Sequence, residues 1–177
     1  MLGAWYYYLA FSLIAILLVI LWFVYTPDSP WAPWWRTNKK TARAAGRLAK
    51  ITDRDVVYEM GSGDGEFILT IACEFKPKKA IGIEIDMLRD WIAKTRLFLT
   101  PKAHKNAEFV RKNFYEVKLN NATVVYLYLV PNAIKRLLPK LKKELKPGTK
   151  IVSYLFKISD MKPVAVDNKN KVYLYKI

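Results

Sequence analysis

One cysteine, Cys73, and one histidine, His104, are all that this 177-residue chain offers of the two residues that build most structural zinc sites. An internal disulfide is excluded, a four-ligand zinc site is not expected, and no metal is assigned; a lone thiol agrees with a reducing compartment. No Gly-Lys-Ser/Thr follows the glycine cluster at residues 61–65, which excludes a P-loop. Internal repeats and low-complexity tracts are also missing. The most consequential absence is of charge: residues 1–27 contain no side chain charged at neutral pH, so all 30 Lys and Arg and all 15 Asp and Glu fall from Asp28 onward. The net charge of +15 therefore belongs wholly to the remainder.

The uncharged start is long enough to matter. Residues 2–25 would form a helix of about 36 Å at about 1.5 Å per residue, more than the roughly 30 Å hydrocarbon core of a bilayer. A secretory signal would need a basic beginning, a short apolar middle and a small-residue cleavage site, and these are missing. Trp5, Tyr6, Tyr7 and Tyr8 at one end and Trp22, Phe23 and Tyr25 at the other match the aromatic belts found at both headgroup layers. The expectation is a single transmembrane anchor over residues 1–27, contacting the lipid bilayer through residues 2–25. Arg36, Lys39, Lys40, Arg43, Arg47 and Lys50 follow with no acid between Asp28 and Asp53. Basic flanks stay on the cytoplasmic side, so the N-terminus is expected outside and the remainder in the cytoplasm.

Residues 28–52 read as a juxtamembrane linker and a basic amphipathic helix. Pro27, Pro30 and Pro33 stop the first helix and stiffen its exit. From Thr37 to Ile51 the five basic side chains cluster on one side and Ala42, Ala45, Leu48 and Ala49 on the other. Two readings stay open for that stripe: a cationic face against anionic headgroups, or a solvated face on a helix that packs its alanines inward.

Residues 53–177 are long enough for one domain with a real core. Apolar runs at 56–60, 80–85, 123–130 and 150–156 alternate with helical patterns at 67–75, 87–99 and 132–145. That alternation argues an α/β fold with parallel strands and crossover helices. Near the end, 163–166 and 172–175 flank the turn-rich Asp167-Asn168-Lys169-Asn170 and suggest an antiparallel hairpin.

The run Glu59-Met60-Gly61-Ser62-Gly63-Asp64-Gly65 sits between the first strand and a helix, at the sheet edge where such folds bind ligands. Its glycines permit a sharp turn and close approach to bare backbone, and Glu59 can accept from a cationic or amino-bearing ligand. A dinucleotide fingerprint wants its third glycine one residue later, where Glu66 would repel a pyrophosphate. Glu84 closes Ile81-Gly82-Ile83-Glu84, 19 residues after Gly65, near the spacing at which an acid reaches a pair of ribose hydroxyls.

On these residues the chain resembles the class I, seven-stranded S-adenosylmethionine-dependent methyltransferases. The resemblance covers about residues 56–177 and implies a Rossmann-like, mostly parallel seven-stranded sheet with helices on both faces. It also implies S-adenosyl-L-methionine as cofactor. By that pattern Glu59 lies near the methionine amino group, Gly61, Ser62, Gly63, Asp64 and Gly65 take the methionine and ribose portion, and Glu84 with Ile85 holds the ribose. Asn113 and Phe114, after a third strand near 108–110, match the place where the family holds or flanks the adenine; many members have Asp at the first of these.

More narrowly, three segments resemble the small protein-lysine methyltransferases of archaea, their mitochondrial relatives that modify ATP synthase or the adenine nucleotide carrier, and related membrane-anchored bacterial sequences. These are Pro33-Trp34-Trp35-Arg36-Thr37, the run from Val124 to Pro131, and Leu138 to Thr149. Arg36 stands where that first segment usually has a second proline. The resemblance implies methylation of protein lysine, and the short exit from Thr26 to Trp35 favours a substrate near the membrane.

Methyl transfer from a sulfonium needs a positioned, desolvated acceptor more than a strong acid-base device. Tyr128 is the candidate for positioning the acceptor, with Leu129, Pro131 and Tyr154 on the acceptor side and Phe156 beside them. Methylation of a nucleic-acid base amine is disfavoured, because Leu129-Val130-Pro131-Asn132 offers an apolar side chain where amino-directed DNA methyltransferases place Asp or Asn. Two other readings compete: methylation of a lipid headgroup or lipid-borne small molecule, and a non-catalytic membrane scaffold.

Overall fold

The computed structural model describes the backbone of residues 5–25 and all of 35–177, with side chains described from Trp5 to Leu21 in the first segment. The expected second aromatic belt (Trp22, Phe23, Tyr25) and the prolines at 27, 30 and 33 lie outside the described residues. Two compact units are present, residues 1–30 and 31–177.

The first unit is helix α1, Trp5–Tyr25, 21 residues long. Most of its described side chains are apolar and exposed, Phe11 and Leu18 among them. Among the described residues, no helix is long and apolar enough to cross a membrane. The expected transmembrane span is thus not shown.

The second unit is a seven-stranded sheet with the order β3-β2-β1-β4-β5-β7-β6. The strands are β1 (Val56–Met60), β2 (Lys79–Glu84), β3 (Ala107–Arg111), β4 (Val124–Leu127), β5 (Lys150–Tyr154), β6 (Ala165–Asp167) and β7 (Val172–Lys176). The first five run parallel, and β7 is antiparallel to β5 and β6, which is the terminal hairpin expected from sequence. Helices α2 (Lys39–Leu48), α3 (Glu66–Glu74), α4 (Met87–Phe98) and α5 (Pro131–Glu144) complete the unit.

Alternate strand residues feed two cores. Val57, Val124, Tyr126 and Val152 pack under α2, α3 and α4, while Tyr58, Val125, Leu127 and Ile151 pack under α5. The Phe67 ring stacks on Tyr126 at 3.8 Å, fixing α3 against the centre of the sheet.

Helix α2 begins at Asn38, whose side chain accepts from the Thr41 amide at 2.9 Å. It buries Ala42, Ala44, Ala45 and Gly46 and leaves its basic side chains exposed. A β-carbon on Gly46 would stand 2.5 Å from the Phe75 ring, so this glycine is what lets α2 close on the end of α3. The alanine face packs inward, as one of the two sequence readings has it.

Strand β4 stops at Leu127, earlier than the apolar run to Val130 suggests. Tyr128, Leu129 and Val130 leave the sheet there, and Pro131 opens α5 at a position where its missing N–H costs nothing. That early exit frees the Tyr128 ring for the site.

Candidate functional site

The site lies at the carboxyl ends of β1, β2 and β4, where the chain reverses direction across the sheet. Gly61, Gly63 and Gly65 all have positive φ, 81°, 53° and 80°, which turns β1 into α3 within five residues. The amides of Gly61 and Ser62 both donate to the Ile83 carbonyl at 2.9 Å, tying the turn to the end of β2.

Glu84 is the pin of this arrangement. One carboxylate oxygen accepts from the Gly63 amide at 2.7 Å, and the other accepts from the amides of Ile85 (2.9 Å) and Asp86 (3.0 Å). A carboxylate offers about four acceptor directions and three are taken, so one on Oε2 remains for a ribose hydroxyl while the oxygens stay aimed. The Lys112 amide donates to the Glu84 carbonyl at 2.9 Å, which brings the exit of β3 alongside. Asn113 follows directly and caps a short 3-10 turn, accepting from the Tyr115 amide at 3.1 Å, with the Phe114 ring 4.7 Å from Tyr115.

Glu59 differs in kind. It is 3% exposed, and its Oε2 has no hydrogen-bond partner among the described residues. Burial, reinforced by the nearby carboxylates of Asp64 and Glu84, holds its carboxyl well above the usual range. An unpaired buried carboxylate oxygen is costly. Facing a cleft lined by the glycine turn, Trp35, Arg36 and Tyr128, Glu59 is fitted to a ligand that brings a positive charge. The methionyl ammonium of S-adenosylmethionine meets that requirement, the hydroxyls of its ribose suit Glu84, and the glycine turn presents bare backbone between them.

Two arginines close the other side. Arg36 Nε lies 2.7 Å from Asp64 Oδ2, and its Nη2 3.4 Å from Glu66 Oε2. Arg96, from the last turn of α4, contacts the same two oxygens at 2.7 Å each and also donates to the Asp64 carbonyl at 2.7 Å. Asp64 and Glu66 are consequently neutralised in pairs, whereas Glu84 is held by backbone amides and Glu59 keeps an oxygen without a hydrogen-bond partner among the described residues.

The acceptor candidates gather beside this cleft. Tyr128 lies 4.5 Å from Tyr154 between ring centroids, and Trp35 lies 6.0 Å from both Tyr128 and Phe156. A second, open hollow of about 810 Å³ shares Trp35, Arg36 and Tyr128 with the first and adds Leu155. Burial raises the Tyr128 phenol above its ordinary value, with Tyr154 adding to the shift, so the ring stays neutral and is no proton acceptor. Leu129 is buried, and its Cδ2 would lie 3.5 Å from a β-carbon on Gly61. Pro131 opens α5, where its part is to start the helix rather than to join this ring cluster.

A β-carbon on Gly65 would meet the Phe109 ring at 2.4 Å and Ala93 at 3.2 Å, so its missing side chain makes room for β3 and α4. Sequence inspection missed Arg96 and the part played by Trp35. Arg96 carries no local motif, and only the fold brings it to Asp64, 32 residues away. Trp35 belongs to a recognised segment, yet nothing in the sequence ties its ring to Tyr128.

Comparison with known proteins agrees with this geometry. The chain matches the ANTKMT methyltransferase domain over residues 59–165. It is 39% identical to the protein-lysine N-methyltransferase of Saccharolobus islandicus, over 86% of this chain and 96% of that one. It is 30% identical to the mouse adenine nucleotide translocase lysine N-methyltransferase, over 75% of this chain and 55% of that one. Among solved structures, an RNA methyltransferase from Salinibacter ruber in complex with S-adenosyl-L-homocysteine shares 32% identity at a TM-score of 0.76, covering 81% of this chain and 94% of that one. The glycine turn pinned by Glu84, the uncompensated Glu59 and these matches lead to one conclusion: the chain belongs to the ANTKMT methyltransferase domain family and is an S-adenosylmethionine-dependent methyltransferase.

Proposed function

We propose that the chain transfers methyl groups to lysine side chains of protein, working at a membrane that it enters through its first helix. The observation that carries the lysine reading is the exit of β4. Tyr128 and Leu129 present a ring and a buried apolar chain beside the donor cleft, where a base amine would need a polar partner. An alkyl chain ending in an amine suits that wall, because desolvation among rings favours the neutral, nucleophilic amine. The names of the archaeal and mouse relatives point the same way.

The cofactor supplies a methyl group activated on a sulfonium. The protein's own residues orient and shield. Glu59 would hold the methionyl ammonium, Glu84 the ribose hydroxyls, and Gly61 to Asp64 the backbone contacts between them. Asn113 and Phe114 would border the adenine. Tyr128, with Tyr154, would position the acceptor, while Leu129 excludes water from the turn.

The membrane part rests on α1. Residues 2–25 carry no charged side chain and as one helix would reach about 36 Å, although among the described residues no helix is long and apolar enough to cross a membrane. With basic residues following, the catalytic unit would face the cytoplasm. Incubating the full chain with radiolabelled donor and a membrane extract tests the acceptor. Label in bands removed by protease, with methylated lysine in the digest, is the expected result. Label that partitions into organic solvent would indicate a lipid, label removed by ribonuclease would indicate RNA, and either would refute the lysine reading. Absence of donor binding by calorimetry would leave only a scaffold.

A further inference from the structure

We infer that Trp35, together with Tyr128 and Phe156, forms the doorway through which the acceptor ammonium enters, and that its cation–π attraction retains a partly methylated lysine for further transfer. The lysine half of this inference rests on the function proposed above. The doorway itself rests on geometry. The donor cleft and the open hollow share Trp35, Arg36 and Tyr128, so any acceptor approaching from the hollow must pass those three side chains.

The rings are held there by independent devices. Trp35 is 47% exposed, yet it stacks on Phe156 at an interplanar angle of 24° and leans on Tyr128 at 37°. Leu155, between the aromatic residues Tyr154 and Phe156 of this wall, has φ 69°, a conformation that bulky residues rarely adopt. It is clamped: its amide donates to the Lys171 carbonyl at 2.8 Å, and Ser153 Oγ donates to the Phe156 carbonyl at 2.6 Å. Strain of this sort persists where the surroundings over-determine it, and it clusters at functional sites. Here its effect is to turn Phe156 towards Trp35.

Electrostatics permit a cation at this place. Arg36 stands at the doorway, but Asp64 and Glu66 engage its guanidinium. An indole face attracts ammonium groups, and methylated ammonium more readily because it is easier to strip of water. In each transfer the amine lone pair forms a nitrogen–carbon bond as the sulfur–carbon bond breaks. The sulfonium becomes a neutral thioether, and the product ammonium must lose a proton to solvent before another round. A doorway of rings keeps that ammonium close while the spent donor is exchanged.

The test uses the full chain in detergent and tetramethylammonium as probe, followed by saturation-transfer NMR, with tert-butanol as a neutral control of similar shape. Tetramethylammonium should bind, and Trp35→Ala should weaken it by about three- to thirtyfold, the loss expected for a partly desolvated cation–π contact. Trp35→Phe should recover most of the affinity, and thermal unfolding followed by circular dichroism shows whether each variant is folded. Equal binding of tetramethylammonium to wild type and a folded Trp35→Ala, or equal transfer to tert-butanol, overturns the doorway. In the lysine assay, Trp35→Ala should lower the ratio of trimethylated and dimethylated to monomethylated lysine; an unchanged ratio overturns the retention step. Ring-dependent cation binding without any methylated lysine would instead refute the lysine function and leave the doorway standing.

Discussion

Replacing Glu59 by Gln should make the empty protein more stable and the donor complex weaker. The Glu59 carboxyl is buried, one of its oxygens has no partner among the described residues, and Asp64 and Glu84 stand close enough to raise its pKa further. Leaving a buried polar group unsatisfied costs about 1 to 3 kcal/mol. An amide of the same shape relieves the charge at the cost of a milder mismatch. For a unit of this size, that corresponds to a rise in Tm of about 3 to 10 °C at neutral pH. The sign with pH follows from the raised pKa. Below the unfolded-state value, both folded and unfolded chains carry a neutral carboxyl, and the variant gains nothing from its lost charge. As pH climbs from there through the folded-state value, the unfolded chain ionises first, so wild type loses stability relative to Glu59→Gln, and above that value the gap levels off. Donor affinity moves oppositely, because an ionised Glu59 pairs with the ammonium: Glu59→Gln forfeits a charge-assisted bond of about 1.5 to 3 kcal/mol, roughly ten- to a hundredfold in Kd. Differential scanning fluorimetry across pH and calorimetry with S-adenosylhomocysteine measure the two halves. A variant with unchanged Tm at neutral pH and a Kd within about twofold of wild type would refute the assignment of Glu59 as the ammonium partner.

Glu84→Ala should cost more than the ribose contact alone, since it also strands the amides of Gly63, Ile85 and Asp86. Kd for S-adenosylhomocysteine should rise at least about a hundredfold, and hydrogen exchange at those amides should accelerate. Gly65→Ala should destabilise by about 2 to 5 kcal/mol, from positive φ plus overpacking on Phe109. Gly65→Ala combined with Phe109→Leu should recover only the packing part in a denaturant titration. Arg36→Ala should shift Tm by less than about 3 °C, because its side chain is 57% exposed and Arg96 still holds both acids. Arg96→Ala, which loses contacts to two carboxylates and a carbonyl, should shift it more.

The parts of this architecture that sequence disclosed are those encoded locally. Strand and helix alternation foretold the parallel sheet, and the Asp167 to Asn170 turn foretold the closing hairpin, because period and turn chemistry live within a few residues. The glycine turn and Glu84 were legible for the same reason: their spacing is short and their chemistry distinctive. Strand β4 read too long because Tyr128, Leu129 and Val130 are as apolar as a strand, and only the start of α5 at Pro131 takes them out of the sheet. At Gly65 the glycine records that space is needed and not what fills it; the place of a β-carbon is taken by Phe109, which arrives from β3. Arg96 was invisible, since its partners come from another element entirely.

Those misses share a cause that bears on how donor and acceptor sites are built. The donor side is made of backbone amides and strand-end carboxylates within β1 and β2, so one stretch of chain carries most of it. The proposed acceptor side draws on side chains from three places: Trp35 ahead of α2, Tyr128 after β4, and Tyr154 with Phe156 at and beyond the end of β5. Substituting one ring reshapes that wall without touching the glycine turn, whereas a change at Glu84 disturbs the donor and the turn together. The two sides of the site in this chain can therefore be altered separately. The part of the ring wall nearest to a free hinge is the segment 35–38, which has no ladder of its own. It is held by the Arg36 ion pairs, the Trp35 ring contacts and the Asn38 cap of α2.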